Sequence, residues 1–362
     1  MPATVIDGDG HIFEDNDNIL RRMPPSYKLG GINPIGSPFP PLDDFHFLVG
    51  TTPGMRSGRG AVGVEGWLRF LDDTAIDMTV LYPTFGLGSG HIPYPEWAVH
   101  VSRAYNDWLY ETYLARDPRF KGVALIPMQE PEAAVAELRR AVNDLGMCGA
   151  MLPSNGLKAH LGSKEYWPVY AEAERLGCCL GVHGGAHNGW GMDHLSPYPP
   201  VHSIGHPHGQ LMALGGMIFN GVFDKYPGLK VGFMEAGTAW FLLALERFGG
   251  SYETNTPHEP RGYFFEQGED ESVRDVLLRH VKAGRIYIGC EGDELTLTDL
   301  IRRTGSECLL FSSDFPHEPT TEMCQREIEE LRDNPGLSEA DKSNILATNA
   351  ERFYRIRVPV AQ

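Results

Sequence analysis

The sequence predicts an α/β chain of 362 residues folded as one (β/α)₈ TIM barrel, with a Pro/Gly-rich insertion after the first strand and extra helices at the C-terminus. Three observations predict it. Eight short apolar runs mostly alternate with helical patterns, and that alternation implies parallel strands. No run is followed by a GxGxxG or Walker sequence, which counts against an open doubly wound sheet. Several runs end in an acid or an imidazole, and in a barrel of this kind function gathers at the C-terminal strand ends.

The first run, Val5-Ile6-Asp7-Gly8-Asp9-Gly10-His11, reads as a strand carrying two side chains of metal-ligand type, Asp9 and His11. A side-chain period of two puts both on one face together with Asp7. The intervening glycines leave room for something bulky or for another backbone. Residues 24–63 are rich in Pro and Gly and too long for an ordinary connection, so they read as a lid-like insertion. Within it Phe39, Phe45 and Phe47 favour a packed loop, and Arg56 and Arg59 are either anion contacts or solvated surface arginines.

A helix through Trp67, Leu68 and Leu71 leads to the strand Met78 to Tyr82, stopped by Pro83. An amphipathic helix over 93–116 precedes the strand 120–127. The helix over 131–145 has Pro in its first turn and Gly146 past its end. The strand 149–153 and the helix 166–176 follow, and then the strand 178–183 ends in His183. A helix over 210–226 leads to the strand 229–235, which ends in Glu235. Helices over 238–248 and 272–283 precede the strand 285–291, ending in Glu291. After a helix over 295–303, the last strand runs 308–314 and ends in Asp314, and helices over 321–332, 338–346 and 349–354 close the single domain, 1–362.

Composition narrows the function. The formal charge of −17 argues against nucleic acid or an anionic membrane as partner and leaves a small-molecule substrate. The six cysteines show no CxxC spacing and sit largely in apolar runs, the pattern of buried, reduced thiols in a cytoplasmic protein. No secretory start and no run of membrane-spanning length is present. Asp9, His11, His183, Glu235, Glu291 and Asp314 all stand at strand ends, and acids and imidazoles converging on one face call for a divalent cation.

The chain resembles the amidohydrolase superfamily, in the branch related to aminocarboxymuconate semialdehyde decarboxylase and the resorcylate-type decarboxylases. The residues that carry the resemblance are Ile6 to His11, Val182-His183-Gly184-Gly185, Gly205-His206-Pro207, Phe223 to Lys230, Met234-Glu235-Ala236-Gly237 and Phe311 to His317. It implies metal ligands at Asp9, His11, His183 and Asp314, with Asp9 standing where the family usually has histidine. The sixth strand of the well-studied decarboxylases ends in a proton-transferring histidine, whereas here it ends in Glu235, read as an additional ligand or a carboxylate base. Such an oxygen-rich set suits one or two ions of Zn²⁺, Mn²⁺ or Fe²⁺. A homodimer is implied by the resemblance alone.

That departure turns the expectation toward a metal-dependent hydrolase, in which a metal-activated water attacks an amide, lactone, ester or thioester of a small or medium organic acid. Asp314 would take the water's proton, and His206 would be a charge-stabilising donor. The alternative is a nonoxidative decarboxylase of an aromatic or unsaturated acid, and a barrel that binds without turnover is disfavoured by the intact ligand set. The 184–208 stretch reads as an active-site loop, since six of the fourteen histidines fall from His183 to His208. Of these, His187, His194, His202 and His208 read as surface or supporting residues. Glu291, Asp293 and Glu294 are either substrate contacts or a helix cap.

Overall fold

The structure is a computed structural model that describes residues 4–27, 37–43, 62–195, 198–255, 265–317 and 319–358. Eight strands follow one another: β1 (Ile6–Ile12), β2 (Met78–Pro83), β3 (Phe120–Leu125), β4 (Gly149–Pro153), β5 (Cys179–His183), β6 (Lys230–Phe233), β7 (Ile286–Cys290) and β8 (Leu309–Phe311). They pair in parallel in sequence order, β1 to β8. The ring closes through backbone bonds from His11 N to Phe315 O (2.7 Å) and from Asp314 N to Asp9 O (3.0 Å). The (β/α)₈ expectation therefore holds.

The helices between the strands are α1 (Asn16–Arg22), α2 (Val64–Thr74), α3 (Pro95–Leu109), α4 (Pro131–Asn143), α5 (Trp167–Leu176), α6 (Pro199–Phe219), α7 (Val222–Lys225), α8 (Ala239–Asn255), α9 (Val273–Lys282) and α10 (Leu297–Thr304). Three more close the chain: α11 (Thr321–Asp333), α12 (Glu339–Ser343) and α13 (Asn349–Tyr354). Each long helix buries one stripe on the barrel, as α2 does with Trp67, Phe70 and Leu71. From α13, Tyr354 reaches under the barrel, donating to Gly8 O at 2.5 Å and meeting Tyr82 Oη at 3.0 Å. Among the described residues no helix is long and apolar enough to cross a membrane. All six cysteines are buried free thiols.

Two stretches differ from their expectation. Residues 184–208 are irregular only in their first part, because α6 begins at Pro199 and carries His202, His206 and His208. Pro199, Pro200 and Pro207 read locally as loop, but the first two fit an opening turn. Gln210 then fixes the helix, donating to Val182 O (3.2 Å) and Met234 O (2.7 Å) at the ends of β5 and β6. Of the insertion, residues 37–43 lie against the barrel, where Phe39 is buried and Pro38 O accepts Trp97 Nε1 at 2.8 Å. Phe45, Phe47, Arg56 and Arg59 lie outside the described residues.

Candidate metal centre

Strand β1 supplies the first two donors by departing from ideal pairing. Its register against β2 shifts between Asp7 and Gly10, the mark of a bulge. The expected shared face for Asp7, Asp9 and His11 therefore breaks. A Cβ on Gly10 would fall 2.6 Å from Asp7 Oδ2 and 2.5 Å from Thr79 Oγ1, so the glycine is needed for Asp7 to pass on that side. There Asp7 accepts Thr79 Oγ1 (2.6 Å), Ser313 N (2.8 Å) and Ser313 Oγ (2.9 Å), tying β1 to β2 and to the end of β8. Asp7 is a structural clamp outside the donor ring.

Asp9 and His11 face the C-terminal mouth. His11 Nδ1 donates to Pro83 O (2.8 Å) and His183 Nδ1 to Gly184 O (2.9 Å), since a carbonyl only accepts. Each backbone contact engages Nδ1 and turns Nε2 into the mouth. His11 Nε2 lies 3.6 Å from both Asp9 Oδ1 and Asp314 Oδ1. His183 Nε2 lies 3.5 Å from Asp9 Oδ2 and 3.4 Å from Glu235 Oε2. These separations are too long for hydrogen bonds. They match the spacing of ligands around one ion, because donors about 2.1 Å from a tetrahedral metal stand roughly 3.4 Å apart.

Both oxygens of Asp9, Nε2 of His11 and His183, and Oε2 of Glu235 are buried without a hydrogen-bond partner. Orphaned buried polar atoms cost free energy unless something else satisfies them. Their convergence is what a divalent cation fits.

Glu235 and Asp314 arrive just past the last paired residues of β6 and β8, at φ of 48° and 50°. For residues with a Cβ this left-handed backbone is strained, and such strain collects at functional sites. Asp314 Oδ1 is 2.7 Å from His317 Nδ1, and His317 Nε2 is 2.9 Å from Thr84 Oγ1. The His317 ring also stacks on His11, with centroids 4.1 Å apart. His206 and His202, one turn apart on α6, bring Nε2 to 3.7 Å and 3.4 Å from Glu235 Oε1. His202 and His317 are the participants that reading by strand ends missed. The signals were His202–His206 at helical spacing and His317 three residues after Asp314.

The other histidines divide. His187 is buried, the supporting rather than the surface alternative: its Nδ1 lies 3.1 Å from both oxygens of Asp43, on the described part of the insertion. His194 and His208 are exposed, as expected. Glu294 accepts Thr238 N (2.5 Å), Thr238 Oγ1 (2.5 Å) and Glu291 N (2.9 Å), so it ties the loops after β6 and β7 together. A cavity of about 840 Å³ opens over the centre, lined among others by His202, His206, Glu235, Glu291, Asp314 and Arg326.

The electrostatics show an incompletely compensated ring. Burial pushes the Asp9 carboxyl up and His11 well below the usual histidine range. Burial also opposes protonation of His183, but the Asp9 charge outweighs it and lifts the imidazole to about 9. His206 is brought down to about 3, chiefly by burial, against the opposing pull of the Glu235 carboxylate. Burial alone would raise Glu235, yet the His206 side chain, then His202 and His183, hold it well below the carboxylate range.

Fold and site together define a class, a (β/α)₈ barrel with a candidate metal centre at the C-terminal mouth. The chain belongs to the amidohydrolase family, whose model matches residues 6–356, and it is an enzyme of that superfamily. It is 27% identical over 289 residues, 77% of this chain and 72% of the relative, to 2-amino-3-carboxymuconate-6-semialdehyde decarboxylase of Dictyostelium discoideum. It is 28% identical over 288 residues, 73% of this chain and 79% of the relative, to gamma-resorcylate decarboxylase of Rhodococcus jostii. Among solved structures it is similar in fold, with a TM-score of 0.66 and 20% identity over 98% of this chain and 97% of the other, to a dihydroxybenzoic acid decarboxylase of a Polaromonas species with bound manganese and 2-nitroresorcinol.

These relatives overturn the hydrolase expectation, since they are decarboxylases. The physical reason the expectation failed is that Glu235, read as an additional ligand or a carboxylate base, was taken to turn the centre toward attack by a metal-activated water. A cation held by the same oxygen-rich donor set would serve equally to receive a substrate carboxylate, so the ligands do not name the bond that breaks.

Proposed function

We propose that the protein is a metal-dependent nonoxidative decarboxylase of an aromatic or unsaturated carboxylic acid. The observation that carries this reading is the convergence of orphaned buried donors on Asp9, His11, His183 and Glu235 beneath the 840 Å³ cavity, in a chain whose relatives are decarboxylases. Asp9, His11, His183, Glu235 and Asp314 would hold the ion. Mn²⁺ is favoured over Zn²⁺ or Fe²⁺ by the carboxylate-rich donors and by the manganese of the similarly folded decarboxylase. When bound, the ion supplies positive charge for the substrate carboxylate and a neighbouring oxygen.

The chain's residues do the rest. Loss of CO₂ leaves an electron pair on carbon that needs a proton, and we assign its delivery to Asp314, whose Oδ1 lies 2.7 Å from His317 Nδ1 for exchange of that proton, with Thr84 holding the far side of the ring. Glu235 anchors the α6 histidines to the centre. His206 lines the cavity and can donate from Nε2 to a substrate oxygen as charge develops. The insertion meets His187 through Asp43, and the His187 ring lies 4.8 Å from that of His206, so residues 24–63 and 184–208 are the proposed determinants of specificity within a single domain. The homodimer is a further proposal, tested by light scattering.

The test is CO₂ release from a panel of hydroxybenzoates and unsaturated acids with the Mn²⁺-loaded protein, run beside Asp314→Asn. Turnover of at least one acid, abolished in the variant, is expected. No CO₂ from any acid, or an undiminished Asp314→Asn, would remove the reading.

A further inference from the structure

Basic side chains gather at the end of the barrel opposite the metal centre. Lys121 stands at the start of β3, Cys148 and Cys178 immediately precede β4 and β5, and Arg355 and Arg357 follow α13. Together with Tyr354 they line a cavity of about 380 Å³, which shares no residue with the one over the mouth. We propose that this basal cavity binds a small organic anion carrying a phosphate group.

The cavity is held in shape by bonds that leave its charge unspent. Tyr354 commits its hydroxyl to Gly8 O and Tyr82 Oη, which fixes its position beneath the barrel. Arg355 takes a left-handed backbone, φ 56°, at the end of α13, where glycine is the usual residue. Its guanidinium donates to Leu176 O (2.8 Å) and Gly177 O (3.3 Å), capping the carbonyl end of α5. A Cβ on Gly177 would fall 2.7 Å from Arg355 Nη1, so the glycine makes room for the guanidinium. Carbonyls carry no net charge, and the arginine is therefore positioned without being neutralised.

Charge supports the proposal independently. In a chain of formal charge −17, Lys121, Arg355 and Arg357 have no carboxylate partner among the described residues. Glu172, whose charge reaches Cys178, is already held by Arg139 and Arg175. Burial pushes the Cys148 and Cys178 thiols up to about 12, so neither brings negative charge to the cavity at neutral pH. Three such cations around one cavity attract an anion, and guanidinium and ammonium groups suit phosphate oxygens. A phosphate, close to doubly charged, answers them better than a single carboxylate. The volume suits a small organic molecule, and Val142, Met147 and Ile356 offer apolar wall to its carbon skeleton. The cavity lies at the N-terminal end of the strands, away from the proposed reaction, and does not depend on it.

The experiment is a calorimetric titration with phenyl phosphate at low salt, run on the Mn²⁺-loaded protein and on chelated protein. The chelated sample separates the basal cavity from an ion that would itself hold phosphate. Saturable binding that persists without metal and weakens as salt rises is expected. Lys121→Gln and Arg357→Gln should each weaken it about 10-fold, and benzoate should bind about 10-fold less tightly than phenyl phosphate. Arg357 is exposed, so its variant tests the cavity without disturbing the core, and circular dichroism confirms that both variants fold. No saturable binding to chelated protein, or an affinity unchanged in both variants, would overturn the proposal. Benzoate binding as tightly as phenyl phosphate would overturn the phosphate assignment.

Discussion

Two groups of buried carboxylates sit within a few residues of each other around β1. On the wall of the barrel, Asp7 accepts bonds from Thr79 and Ser313, and Glu14 accepts the backbone N–H groups of Gly86 (2.7 Å), Phe85 (3.0 Å) and Thr84 (3.3 Å). At the mouth, Asp9 has both oxygens buried and no such partner. The first group spends its acceptors on holding strands and loops together. The second keeps them free. The difference teaches that burial alone does not mark a functional acid; burial with unspent acceptors does.

Replacing the free acid should have the largest effect. Asp9→Asn weakens the ion's hold, and since losing an outer hydrogen-bond partner of a ligand costs about 10- to 100-fold, losing the ligand should cut CO₂ release by more than about 100-fold. The chelated variant should melt no lower than chelated wild type, because neither Asp9 oxygen accepts a hydrogen bond that the variant would lose. A lower melting temperature without metal would show that Asp9 stabilises the fold and would break the contrast.

Asp7→Ala should act in the opposite way. It strands the Ser313 N–H and the hydroxyls of Ser313 and Thr79, which should cost about 3 kcal/mol in urea unfolding even without metal. A change below about 1 kcal/mol would remove the clamp role.

Glu14 sharpens the comparison through pH. Its carboxyl is raised from an ordinary 4.5 to about 7, with burial outweighing the backbone bonds it accepts. Because the folded value is the higher one, the stabilising contribution is complete below about pH 4.5 and is lost as pH rises through about 7. Unfolding free energy should fall across that window by up to about 3 kcal/mol from this group. Glu14→Gln should flatten the slope, and an unchanged slope would disprove the assignment.

The smallest effect is expected where wall and mouth meet. Thr84→Val removes the hydroxyl that holds His317 Nε2, leaving the imidazole at Asp314 less well oriented. CO₂ release should drop about 10-fold with metal content unchanged, in keeping with other supporting hydrogen bonds around metal sites. Loss of metal instead would place Thr84 in support of ion binding.

The sequence located Asp9, His11, His183, Glu235 and Asp314 at strand ends, and the fold brings all five to one mouth. That much was legible because apolar periodicity and the polar residue ending each run are local patterns. His202 was legible only in part, since the prolines before and within α6 disguised the helix that pairs it with His206. His317 was legible only as a neighbour of Asp314, because its contact with Thr84 spans distant parts of the chain. Asp7 was assigned to the wrong face because an ideal strand alternates and this one bulges.

By itself the sequence determined the (β/α)₈ barrel, its strand order and the identity of the acids and imidazoles at its open end. The tertiary structure decided which of those acids remain unpaired, which histidine nitrogens face inward, and that Glu235 stands between two groups of donors. Periodicity is written in neighbouring residues, whereas the partner of a buried carboxylate is chosen by whatever strand, loop or helix packs against it.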